Sequence, residues 1–175
     1  MLVELLLFLV FSLTLLAASW SSLRGRRAHG FYRFFAWEAI LGLIVVNLRV
    51  WFTDPFSPLH LLAWLLLIGS GLLAIHGFWL LRQVGKPQGG LENTTRLVTV
   101  GAYRYIRHPL YASLLCLAGG ALLKQVTLLS GALFVAAAFC LYATAKVEEC
   151  ENLARFGPEY ASYMSCTKMF IPFVF

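Results

Sequence analysis

Long apolar blocks separated by short polar clusters set the plan of this chain. Met1 to Ala18, Phe34 to about Trp51 and Leu59 to Leu81 each read as a predominantly apolar membrane helix, the second with Glu38 and Asn47 facing protein and Arg49 near one interface. Leu110 to Ala145 is apolar apart from Lys124, Gln125 and scattered hydroxyls. It is too long for one ordinary span of about 20 residues and slightly short for two perpendicular ones, so it reads as a tight helical hairpin turning near Lys124 and Gln125. Gly119 and Gly120 on the first arm, with Gly131 and Ala136 to Ala138 on the second, favour close approach of the two arms. The expected fold is an all-α integral membrane protein with five transmembrane helices, including a C-terminal helical hairpin. Residues 1–81 make a three-span bundle, and residues 82–175 add a polar loop, the hairpin and a C-terminal segment, together forming one structural domain.

Composition agrees with the pattern. Apolar residues make up 60% of the chain and charged ones 13%, far from a soluble domain's average. The 14 Lys and Arg against 8 Asp and Glu raise the question of nucleic acid, which their placement excludes. Arg24, Arg26, Arg27 and Arg33 crowd one interblock loop, and Arg82, Lys86, Arg96, Arg104 and Arg107 another. Such basic loops sit at cytoplasmic headgroups, whereas Asp54-Pro55 and the Lys124 turn face out. The topology follows: N terminus outside, C terminus inside, multi-pass. Glu4 stands where a secretory signal has basic residues, so the first block reads as a retained span. The four cysteines form no CxxC pair and support neither a disulfide framework nor a metal site.

Against this apolar background, the polar residues of LVTVGAYRYIRHPLY, residues 97–111, stand out. Pro109 pushes His108 out of the helical region and opens a helix itself, so a charged, aromatic loop meets an apolar helix at Arg107-His108-Pro109-Leu110. Two readings of this junction are open: a site for a small charged ligand, or a basic, tyrosine-rich interface anchor. The upstream Gly85-Lys86-Pro87-Gln88-Gly89-Gly90 is a turn without the spacing of a phosphate loop. His60 and His76 are too far apart for a local metal pair; His76 is expected to hydrogen bond between helices and is also a candidate pocket residue. Glu148 and Glu149 follow the hairpin with no cation four residues on, unlike Glu151, which can pair with Arg155. A carboxylate in that position is a candidate ligand for the ammonium of an amino-acid-like cofactor. Gly157-Pro158 ends the helix, Glu159 to Met164 suggest a short amphipathic turn, and Met169 to Phe175 an apolar surface at the interface.

LVTVGAYRYIRHPLY, the hairpin, VEECENLARFGPEYASYM and a terminal MFIP together resemble the membrane methyltransferases of the isoprenylcysteine carboxyl methyltransferase family and its bacterial and archaeal relatives. More loosely, the chain resembles phospholipid N-methyltransferases. The resemblance covers Gln88 to Pro172. It implies S-adenosylmethionine-dependent methyl transfer in a prokaryotic inner membrane, with the cofactor in a pocket on the cytoplasmic side. It also implies that Gln88, Thr95, Arg96, Leu97, Val98, Tyr103, His108, Pro109, Leu110, Tyr111 and Glu148 contact the cofactor. Within that pocket Tyr103 and Tyr111 are suited to face the sulfonium, and Arg107 and His108 to organise the cofactor carboxylate or the loop, which makes Arg107, His108 and Tyr111 the candidates for the catalytic machinery. The sequence departs from the carboxyl methyltransferases at Thr144, where they carry an arginine four residues before the cofactor-binding glutamate.

Methyl transfer from a sulfonium needs alignment and exclusion of water, not a metal. The expected acceptor is lipidic, possessing an apolar portion such as that of an isoprenylcysteine, and no obligate protein partner is implied. Two other functions remain open at this stage. One is a nicotinamide-dependent membrane reductase of sterols or fatty chains; the other is a structural or transporter-like bundle.

Overall fold

The computed structural model describes residues 2–24, 28–88 and 94–174. Arg26, Arg27, Gly89 and Gly90, which the sequence places in the interblock loops, lie outside them. The described residues form helices α1 (Leu2–Arg24), α2 (Ala28–Val46), α3 (Pro58–Gln83), α4 (Pro109–Leu122), α5 (Leu128–Phe156) and α6 (Pro158–Cys166). Single 3₁₀ turns occupy Leu48–Val50 and Gly101–Arg104, and no strand is present among these residues.

Proline sets much of the punctuation. Pro58, Pro109 and Pro158 each open a helix, where a missing N–H costs nothing, and no proline falls inside one. Between them run Leu-, Ala- and Phe-rich stretches that satisfy their own backbone groups as helices. The helices α1, α3 and α5 are long and apolar enough to cross a membrane. Helix α4, with 14 residues, extends only about 21 Å, short of the ~30 Å hydrocarbon core. The hairpin therefore has one short arm and one long one, with its turn at residues 123–127 as the sequence suggests.

The described residues form two compact units. The first comprises Met1–Ile68 and Leu115–Val147. Its polar knot is Asn47, fully buried, which donates from Nδ2 to the Ala121 carbonyl (2.9 Å) and accepts from Ser130 Oγ (3.2 Å). Here α4 packs on α3: a Cβ on Gly120 would lie 2.8 Å from Leu67 Cγ and 3.0 Å from the Ala63 carbonyl. That contact corrects the expected use of the hairpin glycines, because Gly120 admits α3, Gly119 meets both Leu66 and Phe134, and Gly131 faces open space. Lys124 is sheltered at the turn. The turn residue is 3% exposed, and its Nζ lies 3.5 Å from the centroid of Trp64 and 5.8 Å from that of Trp51.

The second unit comprises Gly69–Leu114 and Glu148–Phe175. It contains residues 97–111 and the carboxylates at the end of α5. Leu80, Val98 and Tyr103 form a buried cluster here, with Leu81 and Val84 packed on it.

Candidate functional site

The loop before α4 is held by backbone pairing to the segment after α6. Lys168 N–H donates to the Tyr105 carbonyl (3.1 Å), Arg107 N–H to that of Lys168 (2.8 Å) and His108 N–H to that of Met169 (3.2 Å). Pro109 then starts α4, with Ala112 N–H returning to the His108 carbonyl (2.9 Å). This clamps the side chains of Arg107, His108 and Tyr111 to one end of a helix, which the MFIP stretch helps to fix.

Arg107 and Glu149 form the structural half of the cluster. Arg107 Nε donates to Glu149 Oε1 at 2.7 Å, with side chains 10% and 3% exposed. Nη1 of Arg107 donates to the carbonyls of Met164 (3.3 Å) and Thr167. A buried charge pair survives only when its remaining hydrogen-bonding capacity is met, and these carbonyls meet it. The sequence reading treats Glu149 as lacking a local cation; its partner comes from far along the chain, so no i,i+4 rule finds it.

The second half is less closed. Tyr111 OH donates to Glu148 Oε1, and the Glu148 side chain keeps 19% of its surface. His108 is buried, stacked on Tyr111 (centroids 5.6 Å apart, 24° between planes) and tilted against Phe170 (6.1 Å). Its Nδ1 lies 3.7 Å from Glu148 Oε2 and its Nε2 3.6 Å from Glu149 Oε1, both beyond a good hydrogen bond. Nε2 is buried without a hydrogen-bond partner among the described residues. Of the two adjacent carboxylates, Glu149 thus takes the guanidinium, and the Tyr111 phenol is the hydrogen-bond donor to Glu148.

Around these groups stand tyrosines held neutral by burial. Tyr163 OH donates to the Tyr103 carbonyl at 2.6 Å. Burial pushes the Tyr160 phenol up to about 12, against a hydrogen bond with Asn152 that pulls it down, and raises Tyr103 and Tyr163 as well. Tyr160, Tyr163 and Phe170 escaped the sequence reading as site residues. Only the i,i+3 spacing of the two tyrosines before a glycine-free apolar tail hinted that α6 buries a face.

The second unit thus gathers Arg107, His108, Tyr111 and Glu148, with Tyr103 beside them through Tyr163. Pro109 is fully buried and Leu110 partly so; both pack on α3, where a Cβ on Gly77 would lie 3.2 Å from Leu110 Cδ2 and 3.6 Å from Pro109 Cγ. Val98 is core, and Leu97 beside it is half-buried. Gln88, Thr95 and Arg96 occupy another turn, closed by Thr95 N–H to the Gly85 carbonyl (2.9 Å) and Thr95 Oγ1 to that of Lys86 (3.0 Å). Among the described residues those three have no hydrogen bond or ion pair to the cluster around Glu148.

Comparison with curated proteins and with solved structures gave no match. A family model for phospholipid methyltransferases, in contrast, matches residues 58–156, which include α3, the loop with Arg107 and His108, and the hairpin through Glu148 and Glu149. That match covers more than half of the chain and coincides with the looser of the two resemblances read from the sequence. The chain belongs to the phospholipid methyltransferase family, a family of membrane methyltransferases.

Proposed function

We propose that this chain transfers a methyl group from S-adenosylmethionine to the head group of a lipid, working as a five-span protein of a prokaryotic inner membrane with its site at the cytoplasmic face. The observation that carries the proposal is the division of labour between adjacent glutamates. Arg107 neutralises Glu149, while among the described residues Glu148 has one hydrogen bond, from the Tyr111 phenol, with His108 Nδ1 3.7 Å away, and keeps part of its surface, which leaves a carboxylate suited to a ligand ammonium. The residues fit the cofactor on a second count, because the orphaned, buried Nε2 of His108 is a hydrogen-bonding group still in need of a partner. When bound, S-adenosylmethionine supplies an activated methyl group on a sulfonium. Glu148 would hold its ammonium, the Tyr111 and His108 rings would supply aromatic surface beside the cation, and Arg107 fixes the loop that carries them.

Thr144 bears on the acceptor. Its side chain is fully buried, and its hydroxyl donates to the Cys140 carbonyl in its own helix (2.8 Å), so it cannot replace an arginine that grips an anionic carboxylate. This favours a phospholipid head group over a prenylcysteine carboxylate. The family match gives no support to the reductase reading or to a purely structural bundle.

The test is titration calorimetry with S-adenosylmethionine and with NADPH, followed by transfer of labelled methyl to phospholipids, prenylcysteine analogues and soluble thiols in nanodiscs. Binding of S-adenosylmethionine alone, and label in lipid, is expected. Turnover of a soluble thiol unaffected by lipid competitors would overturn the lipidic acceptor. Topology has its own test, maleimide labelling of single cysteines at positions 54 and 104 in sealed cells, where outside access at 104 contradicts the orientation.

A further inference from the structure

His76 is a polar side chain in a place that offers it nothing. It lies on α3 with Leu72, Ile75 and Trp79, which are 65%, 71% and 55% exposed, and it is itself exposed. Among the described residues its only recorded partner is the Trp79 ring, stacked at 6.4 Å, and no hydrogen bond reaches either nitrogen. An imidazole on the lipid-facing side of an apolar helix is costly unless something polar meets it. The interhelical hydrogen bond expected from the sequence is absent among the described residues.

Its position relative to the loop is specific. A Cβ on Gly101 would come within 2.6 Å of His76 Nε2 and 2.6 Å of Leu80 Cδ1, and Gly101 has φ +60. Any other residue there would both strain the backbone and displace the ring. One residue on from His76, Gly77 faces Pro109 and Leu110, the residues that follow His108. The imidazole therefore edges the loop of Tyr103 at Gly101, on a helix whose next residue packs against the junction before Tyr111, while remaining exposed itself.

We infer that His76 hydrogen bonds the head group of the methyl acceptor, and that the acceptor reaches the site along the lipid-exposed face of α3. The inference rests on the proposed lipid methyl transfer. The unprotonated nitrogen of a neutral imidazole accepts from an N–H-bearing amine head group, a hydrogen bond that a head-group nitrogen without a proton cannot give. Trp79 beside it gives an ammonium an aromatic face. Hydrocarbon chains gain little on moving from lipid to this surface, so recognition falls to the head group.

The experiment compares wild type, His76→Leu and His76→Gln in nanodiscs containing phosphatidylethanolamine, with S-adenosylhomocysteine affinity by calorimetry as control. His76→Leu is expected to raise KM for the lipid about tenfold, the loss of one hydrogen bond to a charged group, and to leave S-adenosylhomocysteine affinity unchanged. His76→Gln, which keeps a donor and an acceptor, is expected to recover most of the loss. Native mass spectrometry of purified protein titrated with phosphatidylethanolamine and phosphatidylcholine gives a readout that needs no turnover. The retained phosphatidylethanolamine should fall in His76→Leu to the level of phosphatidylcholine. Equal lipid retention in wild type and His76→Leu, or a parallel loss of S-adenosylhomocysteine binding, overturns the inference. If wild type methylates none of the lipids, the underlying methyl-transfer reading fails, and the retention measurement alone decides the role of His76.

Discussion

Arg107 and Lys124 are both cations sheltered from solvent, and their surroundings could hardly differ more. Arg107 meets a carboxylate and two backbone carbonyls. The Lys124 ammonium meets the faces of Trp64 and Trp51 and has no hydrogen-bond partner among the described residues. The backbone at Lys124 lies against His60, whose ring nitrogens are 2.9 Å from the Lys124 carbonyl and 3.0 Å from that of Asp54. A planar guanidinium with five donors organises other polar groups, and this one fixes the loop on which His108 and Tyr111 stand. An ammonium on aromatic faces orders nothing polar and fills space at a turn. Burial of a cation thus marks a working site only where the protein has surrounded it with acceptors.

The largest expected effect breaks the first arrangement. Glu149→Ala leaves Arg107 buried with carbonyls alone and should destabilise the chain by about 3–5 kcal/mol, read as a lower thermal midpoint in detergent. Replacing both partners, Arg107→Met with Glu149→Leu, should cost less than Glu149→Ala alone. An additive double-variant cycle would show that the two side chains do not act as a pair.

Next in size is the open half of the cluster. Glu148→Gln should weaken S-adenosylmethionine binding by about 1.5–3 kcal/mol, roughly 10- to 150-fold, and Tyr111→Phe by less, because only the carboxylate is charged. Calorimetry against Glu151→Gln as the control decides it. Affinity equal in all three folded variants would remove Glu148 from the cofactor site.

The Lys124 ammonium should yield less. Lys124→Met keeps length and apolar contact and removes an ammonium held by aromatic faces alone, so stability should change by no more than about 1 kcal/mol and methyl transfer should persist. Trp64→Leu, which strips the nearer face and leaves the charge, should cost about 2 kcal/mol. If Lys124→Met proves as damaging as Glu149→Ala, the contrast between the two cations collapses.

Much of this was legible in the residues. Helix α3, the hairpin turn at 123–127 and the junction at Pro109 follow from apolar runs and proline placement, both short-range signals. Helix α2 begins at Ala28, ahead of the expected Phe34, because Arg33 and its neighbours continue a helix as readily as they form a loop. The long-range partners were not legible: Glu149 with Arg107, Gly120 with α3, and Lys124 under Trp64 all join segments whose approach no local pattern encodes. In the site, Glu148 was visible because it lacks a neighbouring cation, whereas Phe170 and Tyr160 look like any apolar tail or amphipathic turn.

One further contrast concerns protons. Beside Arg107 lies Tyr160, 2% exposed, its phenol pushed up to about 12 chiefly by burial, and Tyr103 and Tyr163 move in the same direction. The faces around Lys124 are indoles, which do not titrate in this range. A phenol whose folded value lies above its unfolded value of about 10 adds stability that is complete below pH 10 and lost as pH rises toward 12, since the unfolded chain releases the proton first. Near neutral pH both states keep the proton and stability does not vary with pH on this account, which makes it the smallest of the set under working conditions. The second unit should therefore loosen between about pH 10 and 12, with some phenols ionising only as structure is lost. Parallel titration of tyrosinate absorbance and far-ultraviolet circular dichroism follows both events, and Tyr160→Phe should shift the alkaline midpoint upward. Ionisation of all 7 tyrosines near pH 10 with helicity intact would show that the tyrosines around Arg107 are not buried in the folded protein.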